Sequence, residues 1–324
     1  MSSTLLDIQL SESDAEAALR ADARAGLTAV PKHLPPKWFY DARGSELFEL
    51  ITELPEYYPT RTERALLQRS VDDIARLSGA DTVIELGSGS SAKTRLLLDA
   101  FGRAGTLRRY VPQDVSESAL RAALDALAAD YPGLALHGVV GDFTGNLDRL
   151  PRGAGRRLVA FLGGTIGNLL PAERSAFLGR LRSVMRPGEQ LLLGTASVTD
   201  ERVLLPAYDD AAGVTAEFNR NVLRVLNRTL GADFDVAAFA HRAVWDAEQE
   251  WIEMRLVAQR AMRVRVAELD LTVDFAAGEE MCTEISAKFR IETVSAMLQQ
   301  AGFAISRIWT DPGDRFALTL ATAL

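Results

Sequence analysis

Three segments of the chain place glycines or acidic and aromatic side chains at the ends of apolar runs. The segment Glu85–Ser91 (Glu-Leu-Gly-Ser-Gly-Ser-Ser) follows a β-rich run, and its glycines allow the backbone to turn tightly and approach a ligand without a Cβ clash. Asp114 follows the next apolar run, where a carboxylate can accept hydrogen bonds from ribose hydroxyls. Asp142 and Phe143 follow a third run and supply an acceptor and a ring face for adenine. Together the three segments predict a nucleoside-containing ligand.

The spacing of these segments also separates the classes of nucleoside ligand. The first loop lacks the distal glycine of a dinucleotide fingerprint and is not a P-loop, so the pattern favours S-adenosylmethionine over a nicotinamide cofactor. Lys93, on the helix that follows, is placed to reach the methionine carboxylate. Simpler interpretations stay open: an ordinary turn at the glycines, a helix N-cap at Asp114 and a solvated lysine at Lys93.

A fourth apolar run is followed by Gly163-Gly164-Thr165-Ile166-Gly167-Asn168. Its glycines permit close backbone approach, and the Asn168 amide is both a donor and an acceptor. An amide of this kind can bind the amino and carboxylate ends of an amino acid. The alternative is that Asn168 caps the following helix. The segment therefore predicts an acceptor-binding loop.

The elements that position these loops alternate between strands and helices from about residue 61. This order predicts an α/β fold in which a doubly wound, Rossmann-like parallel sheet carries ligands at the carboxyl ends of its strands. Residues 61–196 plus 287–324 are expected to form the S-adenosylmethionine-binding domain. Residues 1–60 plus 197–286, helical at the start and with antiparallel strands between 241 and 275, are expected to form a second, inserted α+β domain for the substrate.

The amino-acid composition limits the classes of molecule that the protein is expected to bind. The formal net charge of −8 over 324 residues disfavours nucleic acid as a substrate. Cys282 is the single cysteine, so a disulfide within the chain is excluded and a reducing, cytoplasmic compartment is expected. No apolar run is long enough to span a bilayer, and the three histidines show no metal-ligand spacing. We expect a monomer that binds no metal, no membrane and no nucleic acid.

Several longer strings give a more specific resemblance. They are Pro35–Asp41, Leu54–Glu63, Glu85–Gly89, Gly164–Asn168, Ala207–Asp210, Gly213–Thr215, Phe218–Asn221 and Gly278–Met281. From about residue 20 to the C-terminus the chain resembles the histidine Nα-methyltransferases of ergothioneine biosynthesis. The resemblance implies a class I methyltransferase that uses S-adenosylmethionine to trimethylate the α-amino group of L-histidine, which gives hercynine.

The resemblance also implies a role for each matching residue. Tyr57 and Asn168 would contact the α-amino group, Asn168 and Tyr208 the carboxylate, and Glu284 and Ser286 the imidazole. Phe48, Gly163, Thr215 and Met254 would shape the substrate site. The donor site would consist of Tyr40, Gly87, Lys93, Asp114, Asp142 and Phe143.

The chemistry of the residues agrees with those roles. Methyl transfer needs a neutral amine held in line with the methyl group, so alignment by Tyr57 is useful. The faces of Tyr40, Phe48 and Tyr57 would tolerate the cation that forms as methyl groups accumulate. Glu284 can accept an imidazole N–H, although a surface carboxylate is the simpler interpretation of that residue alone.

The sequence leaves three alternative functions open. One is an N-methyltransferase of the same fold with another amino acid as acceptor, which Met254 and Glu284 argue against. Another is a non-catalytic module that binds the donor, and the third is a nicotinamide oxidoreductase. One departure from the family pattern is the segment Gly194–Ser197, which lacks the aspartate expected after its threonine.

Overall fold

The computed structural model describes residues 4–89, 91, 93–145, 147–151, 153 and 155–324. Within it the chain divides into two compact units. Unit 1 comprises the N-terminal segment up to Leu10 together with Pro59–Val198 and Lys288–Leu324, and unit 2 comprises Ser11–Tyr58 and Thr199–Ala287. The chain thus leaves unit 1 after Val198 and returns to it at Lys288.

The strands of the described residues are β1 (Thr4–Ile8), β2 (Thr82–Leu86), β3 (Arg109–Asp114), β4 (Ala135–Val140), β5 (Arg157–Phe161), β6 (Gln190–Ala196), β7 (Phe239–Asp246), β8 (Trp251–Ala258), β9 (Met262–Val266), β10 (Leu271–Phe275), β11 (Glu280–Ala287), β12 (Phe303–Thr310) and β13 (Phe316–Ala323). The α-helices are α1 (Glu12–Thr28), α2 (Ala42–Glu53), α3 (Tyr58–Ser78), α4 (Thr94–Arg103), α5 (Glu117–Asp130), α6 (Pro171–Val184), α7 (Glu201–Tyr208), α8 (Val214–Leu230) and α9 (Ile291–Gln300). Short 3-10 turns include Pro36–Phe39 and Thr165–Asn168.

Unit 1 contains an eight-stranded sheet with the order β1-β4-β3-β2-β5-β6-β13-β12 in the described residues. Strands β1 to β6 run parallel to one another, whereas β13 pairs antiparallel with β6 and β12 pairs antiparallel with β13. Every residue of β2, β5 and β6 is buried, as expected for a sheet that helices cover on both faces. The predicted doubly wound α/β fold is confirmed.

The strand order reverses at β2, which lies between β3 and β5. In an open α/β sheet, the loops that leave the strands on either side of such a reversal diverge and open a crevice at their carboxyl ends. The loop after β2 and the loop after β5 therefore emerge side by side. This topology positions the two glycine-rich segments.

The N-terminus differs from the expectation that residues 1–60 begin as a helix and belong to the second unit. Residues Thr4–Ile8 instead form the edge strand β1, parallel to β4, and belong to unit 1. The reason is local: Ser11 is the N-cap of α1, and it forms a capping box with Asp14 that begins the helix only after the apolar run. The apolar residues before Ser11 are left to pair as a strand.

Unit 2 packs helices against two small antiparallel sheets, one with the order β11-β8-β7 and one formed by β10 and β9. Its core centres on α8, which buries apolar residues along most of its length. Glycines with positive φ flank this helix, Gly213 at +75° and Gly231 at +57°. The antiparallel segments predicted between 241 and 275 are present, and β11 adds a strand that the prediction did not include.

Candidate functional site

The glycine loop after β2 is tied to the end of β3. Gly87 and Gly89 have φ values of +68° and +50°, which an L side chain rarely adopts. The Gly89 N–H donates to Asp114 Oδ2 over 2.8 Å, and the Ser116 N–H donates to Asp114 Oδ1 over 2.9 Å. Asp114 thus connects both loops and also begins the turn into α5. Ser90, within the predicted segment, lies outside the described residues.

Glu85, at the end of β2, is buried and has internal partners for both oxygens. The Thr94 hydroxyl donates to Oε1 and the Tyr110 hydroxyl donates to Oε2, each over 2.5 Å. Burial raises the pKa of Glu85 from 4.5 to about 7, because the charged form loses hydration, and these two hydrogen bonds oppose the shift only in part. Glu85 therefore braces the loop from inside, and Asp114 is the carboxylate at the loop itself.

The segment after β4 places an aromatic ring beside the same loop. Asp142 Oδ1 accepts hydrogen bonds from the Thr144 N–H and hydroxyl, at 2.7 and 2.6 Å. The Phe143 ring packs against Phe161, with 5.0 Å between ring centroids. A Cβ atom at Gly87 would lie 4.0 Å from the Phe143 ring edge. Unit 1 therefore brings together four of the predicted donor residues, Gly87, Asp114, Asp142 and Phe143.

Sequence analysis missed Glu63, a fully buried carboxylate on α3. Its Oε1 accepts the Gly163 N–H over 2.7 Å, and its Oε2 bonds Lys93 Nζ. Buried charged side chains are usually paired. Through its two contacts, Glu63 joins the start of α4 to the loop after β5. The only signal in the sequence was its position in the Leu54–Glu63 string, since a lone glutamate on a helix usually faces solvent.

The loop after β5 begins with Gly163 and Gly164, whose φ values are +77° and +70°. It continues as the 3-10 turn Thr165–Asn168, so Asn168 lies at the end of the turn and is partly buried. Helix α6 has Leu170 as its N-cap, and the Leu170 N–H donates to Glu173. The cap of the following helix is therefore not Asn168.

In unit 2 a row of aromatic rings connects residues predicted for the substrate. Ring centroids are 5.6 Å apart for Tyr40 and Phe48, 6.3 Å for Phe48 and Tyr57, and 6.1 Å for Tyr57 and Tyr208. Burial is the main reason that the pKa of Tyr57 lies well above its usual value. Tyr57 therefore keeps its phenolic proton at neutral pH and can donate a hydrogen bond. Tyr40, which was grouped with the donor residues, belongs to this row.

A β-bulge determines which face of β11 carries Glu284. Cys282 pairs with Arg255 and Glu284 pairs with Met254, so Thr283 is an extra residue in the ladder. Side chains of directly paired residues share a face, and Met254 points into the core of unit 2. Without the bulge, Thr283 would pair with Met254, and Glu284 would face the opposite side. The bulge therefore turns Glu284 and Ser286 to the inner face.

The same face of unit 2 gathers further predicted substrate residues. The Tyr208 and Ser286 hydroxyls are 2.8 Å apart and hydrogen bonded. Thr215 is buried in the first turn of α8, where its N–H donates to Asp210 Oδ1 over 2.8 Å. Tyr208 and Ser286 are thus held together across 78 residues of chain, and Thr215 is held where the next helix begins.

Among the residues that the structure describes, no group of three histidine, cysteine or acidic side chains is arranged to hold a metal ion. Within the same ranges, no helix has the length and apolar character needed to cross a membrane.

Comparison with known proteins gives matches over nearly the whole chain. A family model described as histidine-specific, S-adenosylmethionine-dependent methyltransferase matches residues 19–323. The histidine N-alpha-methyltransferase of Mycolicibacterium smegmatis is 57% identical over 99% of this chain and 99% of that protein. Ergothioneine biosynthesis protein 1 of Neurospora crassa is 35% identical over 62% of this chain and 23% of that protein. The PH0226 protein of Pyrococcus horikoshii shares the fold, with a TM-score of 0.50 and 14% identity over 88% of this chain and all of that one.

The raised pKa of Glu85 can be tested with Glu85→Gln. The carboxyl titrates near pH 4.5 when unfolded and near pH 7 when folded, so its stabilising contribution is complete below 4.5 and is lost as the pH rises to 7. The amide does not titrate. Relative to the unsubstituted protein, the variant should therefore gain about 3 kcal/mol in free energy of unfolding between pH 4.5 and 7.5.

Urea unfolding at several pH values measures this difference. The exposed Glu292→Gln is the matched control, because it makes the same change of charge without burial. If Glu85→Gln and the unsubstituted protein share one pH dependence, the carboxyl is not held protonated in the fold.

Proposed function

Since the chain belongs to the histidine-specific, S-adenosylmethionine-dependent methyltransferase family, we propose that it transfers three methyl groups from S-adenosylmethionine to the α-amino nitrogen of L-histidine. The product is hercynine, and the reaction is a step of ergothioneine biosynthesis. The observation that carries the proposal is the near-complete match to a histidine N-alpha-methyltransferase at 57% identity. A monomer acting in the cytoplasm is part of the same proposal.

For the donor we assign Gly87, Lys93, Asp114, Asp142 and Phe143 of unit 1. Gly87 and Gly89 have positive φ values and carry no Cβ atoms, so a nucleoside held at the strand ends can approach the backbone closely. Each oxygen of Asp114 accepts one backbone N–H, and the remaining lone pairs can accept ribose hydroxyls. Lys93 can bind the methionine carboxylate. The bound donor supplies an activated methyl group on a sulfonium.

A sixth donor contact, Tyr40, belongs to unit 2 and rests on the family resemblance alone.

For the acceptor, histidine, we assign the Glu284 carboxylate and the Ser286 hydroxyl to the imidazole. Two other polar side chains are assigned to the α-amino and carboxylate groups. Glu284 accepts an imidazole N–H, and Ser286 adds a hydroxyl on the same face of β11. In unit 2 we assign Tyr208 to the carboxylate, and Phe48, Thr215 and Met254 to the surroundings of the substrate. In unit 1 the family resemblance assigns Asn168 to the carboxylate and the α-amino group, and Gly163 to the same substrate. A site that hydrogen bonds a substrate N–H rejects analogues that lack it, which supports selection of histidine.

The α-amino group must lose a proton before each transfer. Because Tyr57 keeps its proton near neutral pH, we assign it to alignment of the amine through its hydroxyl rather than to removal of the proton. Its ring, with those of Tyr40 and Phe48, presents π faces to the ammonium cation that forms as methyl groups accumulate. Alignment of a weak nucleophile supplies much of the rate in an in-line displacement.

The purified protein should add three methyl groups to histidine and none to the other nineteen amino acids. The assay is mass spectrometry after incubation with S-adenosylmethionine and each amino acid in turn. Methylation of another amino acid would retain the donor assignments and overturn the acceptor assignments. Binding of the donor without any methylation would overturn the proposed reaction.

Glu284→Ala should raise the KM for histidine by about tenfold or more, because the imidazole loses a charge-assisted hydrogen bond. The Kd of S-adenosylmethionine, measured by calorimetry, should change by less than about twofold, since the substitution leaves unit 1 intact. The control is Glu253→Ala, which removes a carboxylate paired with Arg255 on the other face of β8. Parallel losses of donor affinity and histidine turnover would contradict the role of Glu284.

Tyr57→Phe should lower kcat by about tenfold, as expected for loss of one aligning hydrogen bond, and should enrich partly methylated products. Time courses of the mono-, di- and trimethylated forms measure both effects. Tyr131→Phe is the control, because it removes a hydroxyl that bonds Asp99 over 2.8 Å in unit 1. An unchanged rate and product ratio would remove Tyr57 from the mechanism.

A further inference from the structure

A fully buried asparagine on α8 connects three strands of unit 2. Asn219 Nδ2 lies 2.8 Å from His241 Nδ1 on β7 and donates to the Arg255 carbonyl oxygen on β8 over 3.2 Å. Its Oδ1 accepts the Thr283 hydroxyl on β11 over 2.6 Å. The amide orientation is fixed, because its donors face a carbonyl and a ring nitrogen and its oxygen faces a hydroxyl.

His241 extends these contacts to Tyr208. Its side chain is only 1% exposed, and its Nε2 lies 2.8 Å from the Tyr208 carbonyl oxygen. A carbonyl can only accept, so Nε2 carries the proton and Nδ1 accepts from Asn219. The ring is therefore neutral in one tautomer.

The charged neighbours of this ring oppose one another. Asp209 has a carboxylate oxygen 3.8 Å from Nε2 and, like Asp210, favours the charged ring, whereas Arg220 disfavours it. Burial is the largest influence and lowers the pKa of His241. The neutral ring that the hydrogen bonds require is thus also the form that burial favours.

Thr283 is the extra residue of the β11 bulge, and it is fully buried. Its hydroxyl lies 3.0 Å from the Met254 carbonyl oxygen, besides its contact with Asn219. A bulge disrupts the ladder locally, so the side chain of the extra residue is what ties it to the neighbouring elements. Through Thr283, Asn219 therefore holds the segment that turns Glu284 to the inner face.

We propose that Asn219, His241 and Thr283 are positioning residues that hold the Tyr208 main chain and the Glu284 bulge in register for histidine binding. This inference rests on the proposed function, in which Tyr208 binds the carboxylate and Glu284 the imidazole. The three residues act through those side chains, and they set the distance between the two ends of the amino acid site. Their loss should weaken histidine binding selectively, whereas a general loss of stability would affect both substrates.

The first test is Asn219→Leu, which keeps the volume of the side chain and removes its hydrogen bonds. The KM for histidine should rise by about tenfold, and the KM for S-adenosylmethionine should change by less than about twofold. The matched control is Asn227→Leu on the same helix, where the side chain clamps the Phe234 backbone through two 2.9 Å hydrogen bonds. The control should leave both KM values unchanged. Equal rises for both substrates, or no rise for histidine, would overturn the proposal.

Thr283→Val and Thr283→Ser test the bulge even if Asn219→Leu fails to fold. Valine has nearly the same shape as threonine but lacks the hydroxyl, so the KM for histidine should rise about fivefold or more. Serine keeps the hydroxyl and should restore the KM to within about twofold of the unsubstituted value. If valine and serine behave alike, the hydroxyl does not position Glu284.

A third measurement does not depend on activity. The chain has three histidines, so nitrogen-15 labelling of histidine gives three pairs of ring-nitrogen signals, and His241→Gln identifies the pair of interest. His241 should show the neutral Nε2–H tautomer at pH 7.5, and Asn219→Leu should perturb it. A protonated ring or the other tautomer would overturn the network whatever amino acid is methylated. Failure of the methylation assay with this signature intact would count against the proposed function alone.

Discussion

The carboxyl ends of the parallel strands β2 to β5 share one edge of the sheet, and this constraint decides where unit 1 can carry chemistry. Because the strand order reverses at β2, the loops after β2 and β5 leave the sheet side by side. The backbone turns sharply at this edge with positive φ at Gly87, Gly89, Gly163 and Gly164, a conformation that glycine adopts without a Cβ clash. Contacts from other elements of unit 1 hold the loops at this edge.

Buried carboxylates provide much of that support. Glu63 joins the Gly163 N–H to Lys93, and Glu85 joins Thr94 to Tyr110. The partners of the two carboxylates differ: Glu63 bonds an ammonium group, whereas Glu85 has two hydroxyl donors, and burial raises the pKa of Glu85 to about 7. These two carboxylates thus tie the loops at the sheet edge to the side chains behind them.

In unit 2, an irregularity in strand β11 determines where polar side chains point. A regular β11 would alternate its side chains and place Glu284 on the face opposite Met254. The extra residue Thr283 changes that parity, and its hydroxyl is held by Asn219, which in turn orients His241 against the Tyr208 carbonyl. One bulge and one asparagine therefore determine which polar groups face the inside of the unit.

The sequence alone indicated the alternation of strands and helices along the chain, the glycine turns and the acidic strand ends, because these depend on local periodicity and on backbone freedom at single positions. It also carried strings long enough to indicate the family. The first residues were predicted to be helical, because a five-residue segment with three apolar side chains does not show that it will pair with β4. The tertiary structure decided the roles of Glu63, Asn219, His241 and Thr283. Each of them looks ordinary in sequence, and the partners of Glu63 and Asn219 lie up to 100 and 64 residues away, so only folding reveals which buried polar groups satisfy one another.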